Sequence, residues 1–204
     1  MSIEVVLATR NKHKLREIRE ILAGTAFSVV STDELDRSLP DIVEDADTFR
    51  GNADKKARTL AAHFDRIAIA DDSGLEVDAL GGAPGVYSAR FAGVDGAGAD
   101  EANNDRLLRD LADVADAERT ARYRCSLAVV TPDGRSGYSD GTCEGRIGHI
   151  RTGDGGFGYD PLFLVAGDPA GRTMAQYSPA EKNAISHRGV ALQTLLPILR
   201  DLCP

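Results

Sequence analysis

The stretch IAIADDSG, residues 67–74, runs from four apolar residues directly into two carboxylates, a hydroxyl and a glycine. A short apolar run that stops at polar turn residues is typical of a buried strand. Ligands of α/β sheets collect at the carboxyl ends of such strands, so Asp71 and Asp72 stand where chemistry is usually done. Two adjacent acids at the edge of an apolar core need a compensating cation, for which Mg²⁺ is the usual oxygen-bound candidate. The simpler alternative is an Asx-turn closed by Ser73 and Gly74.

A second apolar run, VVLA at residues 5–8, is followed by a polar turn and then by a helical pattern. Apolar residues spaced three and four apart from Leu15 to Leu22 predict an amphipathic helix. The N-terminus of a helix offers free backbone N–H groups and the positive end of the dipole, which both suit a phosphate. The polar turn comprises Thr9, Arg10, Asn11, Lys12, His13 and Lys14. A capped helix with solvated lysines explains the same residues without a ligand.

The rest of the chain predicts strands and helices in alternation, with one added hairpin. The predicted elements are a strand at 27–30, helices at 48–64 and 100–114, a hairpin at 122–138, a strand at 162–165 and a C-terminal helix from 190. Thr48 is suited to cap the second helix, and Pro132-Asp133-Gly134 to turn the hairpin. A parallel sheet with an added hairpin is a mixed sheet. We therefore expect a single α/β domain over residues 1–204, with helices flanking a mixed sheet and a cleft between two lobes.

A glycine-rich loop at residues 153–161 presents aromatic and acidic side chains. Its sequence GDGGFG matches the dinucleotide pattern Gly-x-Gly-x-x-Gly, but the loop runs through Pro161 into a strand and opens no helix. The match is therefore spurious. Phe157, Tyr159 and Asp160 are suited to stacking on a base and reading its edge. The alternative is a structural turn in which Phe157 is buried.

Donors gather again near the end of the chain. Ser178-Pro179-Ala180-Glu181 predicts a helix start, with serine at the cap, proline at the first position and glutamate at the third. This start places Lys182 in the first helical turn, and Ser186, His187 and Arg188 follow shortly after it. An acidic protein has little reason to gather such donors on a solvated face.

The composition is that of a folded chain. Of its 204 residues 42% are hydrophobic and 27% charged, and no stretch approaches the roughly 18 to 20 apolar residues of a membrane span. The net charge of −8 argues against a nucleic-acid polymer as partner, because such partners are met by broad basic faces. The widely spaced Cys125, Cys143 and Cys203 indicate reduced thiols. Since the chain starts without a signal-peptide pattern, we expect a cytoplasmic protein with no membrane partner.

Four separated stretches together resemble the family of inosine/xanthosine triphosphate pyrophosphatases, also called dITP/XTP pyrophosphatases. The four stretches are Thr9-x-Asn11-x-x-Lys14, ADDSGL at 70–75, GFGYDP at 156–161 and SHRG at 186–189. The resemblance extends over essentially the whole chain and includes GAPG at residues 82–85. It implies an elongated, two-lobed α/β homodimer that uses Mg²⁺. The implied reaction cleaves a purine nucleoside triphosphate, a small-molecule substrate, into the monophosphate and pyrophosphate.

The resemblance also implies a role for each candidate residue. It makes Asp72 the general base and a metal ligand, Glu44 the second metal carboxylate, and Ser73 a substrate contact. It assigns the triphosphate to residues 9–14, which are Thr9, Arg10, Asn11, Lys12, His13 and Lys14, and to Lys56. It assigns the nucleoside to Phe157, Gly158, Tyr159, Asp160, Lys182, His187 and Arg188. Members of the family often have paired glutamates where this chain has Val43 and Glu44.

Two other functions remain open at the level of sequence. One is a nucleotide-binding regulator that uses the same pocket without turnover, although binding alone needs no carboxylate beside a triphosphate. The other is a pyrophosphatase for pyrimidine nucleotides, which would keep Asp72 and the lysines but change the base pocket. Hydrolysis of a phosphoanhydride needs a metal, a base that orients water, and cations for the leaving group. Glu44 and Asp72 with Mg²⁺, together with Lys14 and Lys56, would supply them.

Overall fold

A computed structural model describes residues 2–9, 11–35 and 41–203, so the predicted substrate contact Arg10 lies outside the described residues. The strands are β1 (Ile3–Ala8), β2 (Phe27–Ser31), β3 (Ala68–Val77), β4 (Thr120–Val130), β5 (Ser136–Ile147) and β6 (Phe163–Val165). The α-helices are α1 (Lys12–Leu22), α2 (Phe49–Phe64), α3 (Ala99–Asp110), α4 (Pro179–Ile185) and α5 (His187–Leu202). Short 3₁₀ helices lie at Thr32–Glu34, Asp78–Leu80, Gly85–Arg90, Asp116–Glu118 and Met174–Gln176.

The six strands form one mixed sheet, as predicted. Their order is β2-β1-β3-β4-β5-β6. β1 pairs in parallel with β2 and with β3, placing Leu7 opposite Ile69, whereas β5 and β6 are antiparallel. β4 and β5 are neighbours joined through residues 131–135, where Gly134 N–H donates to the carbonyl of Thr131 at 2.9 Å. Such a short connection produces the predicted antiparallel hairpin.

β3 does not end where the sequence predicts. It continues through Asp71 and Asp72 to Val77, so neither the predicted strand end nor the alternative Asx-turn forms. Leu75 and Val77 are fully buried, so the strand gains apolar burial beyond the two acids, and nearby cations compensate both carboxylates. Because successive side chains of a strand point to opposite faces, Asp71 and Asp72 face opposite sides of the sheet.

The chain divides into two compact units, and β3, β4 and β5 each contribute residues to both. Unit 1 comprises Met1–Asp72, Cys125–Gly141 and Arg188–Pro204; unit 2 comprises Ser73–Arg124 and Thr142–His187. The elongated shape and the cleft between two lobes stay predictions.

Unit 1 has an apolar cluster on each face of its part of the sheet. Val5, Leu7 and Ile69 pack with residues of α1 and α5. Val6 and Ala68 pack with residues of α2. Since Asp71 alternates with Ile69 along β3 in steps of two, it shares the face that α1 and α5 cover. Asp72 shares the α2 face.

Unit 2 has a core of its own, to which β4 contributes Tyr123, the 157–163 segment contributes Tyr159 and Phe163, and α3 contributes Leu107.

Two helix starts are as the sequence predicts. Thr48 caps α2, and the Ser178 capping box opens α4. α5 begins at His187, three residues earlier than expected. Within residues 2–9, 11–35 and 41–203, no helix combines the length and the apolar character needed to cross a bilayer.

Candidate active site

The turn between β1 and α1 is held by its own side chains. Thr9 Oγ1 accepts the backbone N–H of Asn11 at 3.1 Å. Asn11 Oδ1 in turn accepts the N–H groups of His13 and Lys14, at 2.9 and 3.2 Å. Asn11 is therefore the N-cap of α1, so the capped-helix alternative describes its contacts. Lys12 and His13 are exposed beside it.

Asp71 is the centre of a buried charged group on the α1 and α5 face. Its carboxylate accepts from Lys14 Nζ, from Arg188 Nε at 2.9 Å and from the thiol of Cys125 at 3.1 Å. Arg188 Nη1 also donates to Glu17 Oε2 at 2.5 Å. Burial alone would raise the pKa of Asp71, but Arg188 and Lys14 hold that pKa well below its usual range. The two acids and two bases balance in formal charge, which makes their burial tolerable.

Asp72 is the centre of a second group on the α2 face. Lys56 Nζ, on α2, donates to Asp72 Oδ1 at 2.9 Å and to Glu44 Oε2 at 3.2 Å. Asn52 Nδ2 donates to the other oxygen of Asp72 at 3.2 Å. Burial raises the pKa of Asp72. Burial acts in the same direction on Glu44, but the Lys56 ammonium outweighs it and lowers the pKa of that carboxyl.

These residues fit a hard divalent cation. The carboxylates of Glu44 and Asp72 converge on a single ammonium, and with Lys56 they carry a formal charge of −1. Mg²⁺ is usually bound by one or two carboxylates, with waters and substrate phosphates completing its shell. Within the described ranges no group of three or more Cys, His, Asp or Glu is arranged to hold a metal. The two carboxylates therefore suit a metal site that substrate phosphates and waters complete, and not one in which the protein supplies every ligand.

The glycine-rich loop in unit 2 is organised by Asp160. Its Oδ2 accepts the backbone N–H of Phe157 at 2.9 Å and Lys182 Nζ at 2.7 Å, while Oδ1 accepts the hydroxyl of Tyr123 at 3.0 Å. Lys182 Nζ lies 4.7 Å from the centre of the Phe157 ring. The Tyr123 ring stacks on His187, with 4.7 Å between centroids and 14° between planes.

Helix α3 holds Gly158 at both of its backbone polar groups. Asp100 accepts its N–H at 2.7 Å, and Asn104 Nδ2 donates to its carbonyl at 2.8 Å. Gly156 has φ +74°, and a Cβ there would collide with the Asp160 carboxylate. The next aromatic residue, Tyr159, is buried and donates to the carbonyl of Ser88 at 2.8 Å. Tight backbone geometry thus fixes the loop against Asp160.

The predicted residues are divided between the two units. The candidates in unit 1 are Thr9, Asn11, Lys12, His13, Lys14, Glu44, Lys56, Asp72 and Arg188. The candidates in unit 2 are Ser73, Phe157, Gly158, Tyr159, Asp160, Lys182 and His187. Arg188, predicted for the nucleoside, has its guanidinium bound to Asp71 and Glu17 inside unit 1.

Sequence reasoning missed several residues that hold these groups together, among them Glu17, Tyr123 and Asn104. Glu17 lies three residues after Lys14, so the helical repeat already placed both on one side of α1. The alternation of β4 already placed Tyr123 among buried residues, where a hydroxyl needs a partner. For Asn104 the sequence carries no comparable signal.

Comparisons with known proteins show which family the chain belongs to. The Ham1 family matches residues 5–198. The chain is 46% identical to a dITP/XTP pyrophosphatase of Anaeromyxobacter dehalogenans, over 98% of each protein. The structure of a HAM1 protein from Coxiella burnetii has a TM-score of 0.85 and 39% identity, covering 98% of this chain and 99% of that one. A nucleoside-triphosphatase / dITP/XTP pyrophosphatase from Mycobacterium abscessus has a TM-score of 0.76 and 40% identity, covering 96% and 100%.

Proposed function

Because the chain belongs to the Ham1 family, we propose that it hydrolyses dITP, ITP and XTP to the monophosphate and pyrophosphate and so cleanses the nucleotide pool. The observation that carries this proposal is the group of Glu44, Lys56 and Asp72. It gathers two carboxylates and a lysine, as phosphoanhydride hydrolysis requires. Its buried aspartate is suited to a proton-transfer role.

Asp72 is the general base in this proposal. One of its oxygens would orient the attacking water and take its proton, while Asn52 holds the other oxygen. Before a cation binds, burial raises the pKa of Asp72; a bound cation would oppose that rise and keep the carboxylate ionised, ready to accept a proton from water.

The lysines of unit 1 would bind phosphate oxygens. Lys14, whose ammonium is bound to Asp71, lies in the first turn of α1, where the helix N-terminus adds its own attraction for an anion. Lys56 is buried beside the carboxylates and would share its charge with an arriving phosphate. Positioning and electrostatics then carry the reaction, as in other phosphoryl transfers.

A metal requirement is what family membership supports in general; that the ion is Mg²⁺, held by Glu44 and Asp72, is part of our proposal. Bound there, the ion would neutralise phosphate charge and polarise the bond to be broken. The substrate as a nucleotide, and no larger nucleic acid, agrees with the net charge of −8. A cytoplasmic homodimer completes the proposal, in keeping with the three free cysteines.

Unit 2 would bind the base. Phe157 offers a stacking surface with a cation already above its ring. Inosine and xanthosine carry an acceptor oxygen at position 6, where adenine carries an amino donor. A pocket lined there by donors such as His187 and loop N–H groups therefore accepts the first pair and rejects adenine by roughly 5-fold to 150-fold per lost contact. Guanine would be excluded at position 2, where donors or tight packing oppose its amino group.

The test is pyrophosphate release from a panel of ribose and deoxyribose triphosphates, with Mg²⁺ and with chelator. We expect inosine and xanthosine triphosphates to be cleaved far faster than ATP, GTP or pyrimidine nucleotides, and only with the metal. Comparable turnover of GTP and ITP would overturn the account of the base pocket alone. Preferred turnover of pyrimidine nucleotides, or tight binding of ITP without any turnover, would replace the proposed activity by one of the two alternatives.

A further inference from the structure

We propose that Tyr123 is a positioning residue that sets purine selectivity by holding Asp160 and His187 in place. This inference rests on the proposed function, because it concerns how the base is chosen. Tyr123 lies on β4, outside every sequence motif of the candidate site. Its side chain nevertheless contacts two of the residues predicted to bind the nucleoside.

The first contact is polar. The Tyr123 hydroxyl donates to Asp160 Oδ1 at 3.0 Å, and both residues are more than nine-tenths buried. The other oxygen of Asp160 binds Phe157 N–H and the Lys182 ammonium. The hydroxyl therefore fixes the rotation of the carboxylate that positions both the stacking ring and the cation above it.

The second contact is between rings. The Tyr123 ring stacks on the His187 ring with 14° between their planes. It also packs against the Phe163 ring, with 4.5 Å between centroids and 44° between planes. A ring packed against two others has little freedom to turn. His187 consequently receives its orientation from the same side chain that orients Asp160.

The hydroxyl is suited to remain a donor. Burial, together with the Asp160 carboxylate, raises the pKa of Tyr123 well above its ordinary value. The phenol therefore keeps its proton at every pH at which an enzyme would work. Removing the hydroxyl would leave Asp160 Oδ1 without this buried donor, and the carboxylate could then rotate toward Lys182.

Tyr123→Phe is the decisive variant, because it removes the hydroxyl and keeps the ring. The matched control is Tyr177→Phe, which removes a tyrosine hydroxyl that also donates to an aspartate, Asp168, in unit 2. For both variants and the intact protein, calorimetry would give dissociation constants for inosine and adenosine monophosphates. Initial rates would give KM and kcat for ITP and ATP, and circular dichroism would confirm folding.

For Tyr123→Phe we expect the inosine-to-adenosine affinity ratio to fall about fivefold or more. The loss should appear in KM, with kcat for ITP within about threefold of the intact protein, since Tyr123 touches no reacting atom. Tyr177→Phe should leave the inosine-to-adenosine affinity ratio and the KM for ITP unchanged. An unchanged ratio in Tyr123→Phe, or an equal fall in the control, would overturn the proposal.

A second variant separates positioning from general destabilisation. Asp160→Asn should erode the same ratio, and the double variant should be no worse than the more severe single one, because both changes break one connection. Fully additive losses would contradict the proposed connection. If the intact protein cleaves no triphosphate, the proposed function fails, yet the monophosphate affinities still decide the role of Tyr123. A protein without preference for inosine monophosphate refutes it.

Discussion

The two units hold their candidate residues with different forces. In unit 1, Asp71 and Asp72 each bind a lysine, and Glu17 and Arg188 extend the first of these ion pairs. Among the candidate residues described in unit 2, Lys182 and Asp160 form an ion pair that lies among the rings of Phe157, Tyr123 and His187. Alternating side chains on β3 explain the first arrangement, because two neighbouring acids serve two faces of one sheet.

The difference separates two kinds of chemistry. Charge acts on phosphates and on the proton that must be moved, so changes of charge in unit 1 should alter rate and stability. Rings and hydrogen bonds act on an uncharged base, so changes in unit 2 should alter affinity and selectivity. The following expectations run from the largest effect to the smallest. The first three test that separation, and the fourth concerns a helix-capping carboxylate of unit 2 outside the candidate residues.

Asp72→Asn should reduce kcat by about 100-fold or more, because the substitution removes both the base and a carboxylate for the metal while keeping the size of the side chain. Rates of pyrophosphate release from ITP measure the loss, with Asp47→Asn as a control at an exposed aspartate. A folded variant within a few-fold of the intact protein would move the catalytic role elsewhere, with Asp71 as the first residue to examine.

Glu17→Gln should lower the free energy of unfolding by about 2 kcal/mol, since it leaves the buried Arg188 with one carboxylate in place of two. Urea unfolding followed by circular dichroism gives the value. The control is Glu20→Gln on the same helix, where the ion pair with Arg16 is exposed and worth about 0.5 kcal/mol or less. Equal effects of the two substitutions would show that the buried group does not stabilise unit 1.

Phe157→Ala should weaken all purine nucleotides together, by roughly 10-fold in affinity, because stacking does not distinguish one purine from another. The Asp72-dependent kcat should change little. Ile150→Ala, at an exposed apolar residue of unit 2, is the control. A loss confined to one base, or a loss of kcat without a change in affinity, would contradict the division between the units.

Acid should reveal the smallest effect, at Glu181. Hydrogen bonds from the Ser178 hydroxyl and backbone, with Arg172 nearby, lower the pKa of Glu181 to about 2. A depressed folded pKa stabilises above the unfolded value of about 4.3 and loses that contribution as pH falls toward 2. The difference in Tm between the intact protein and Glu181→Gln should therefore be constant above about pH 5, shrink as the pH falls toward 2, and vanish only below about pH 2. A difference that grows on acidification would reverse the sign of this account.

Local signals predicted the parts of the fold that local interactions build. Thr48 and Ser178 cap the helices that follow them, and the three- and four-residue spacing from Leu15 to Leu22 predicted most of α1, which begins at Lys12. The capped turn and the helix start need only neighbours in sequence, so their residues suffice to recognise them.

The extent of β3 could not be predicted in this way. From the local sequence, two consecutive acids predict the end of a strand, because burying them is costly. What offsets the cost comes from Lys14, which is 57 residues from Asp71, and from Arg188, 117 residues away. The pairing of Arg188 with Glu17 spans 171 residues. Partners this distant become visible only when the sheet and its covering helices are assembled.

The thiol of Cys125 gives the buried group around Asp71 a consequence for slow motions of the chain. Burial and the neighbouring carboxylate raise the pKa of this thiol well above its ordinary value, so the reactive thiolate is scarce in the folded protein. A thiol reagent can therefore modify Cys125 only during transient openings of unit 1, and the modification rate measures how often they occur. Cys143, buried in unit 2, reports the openings of that unit by the same chemistry. One labelling time course that follows Cys125 and Cys143 separately thus measures how often each unit opens.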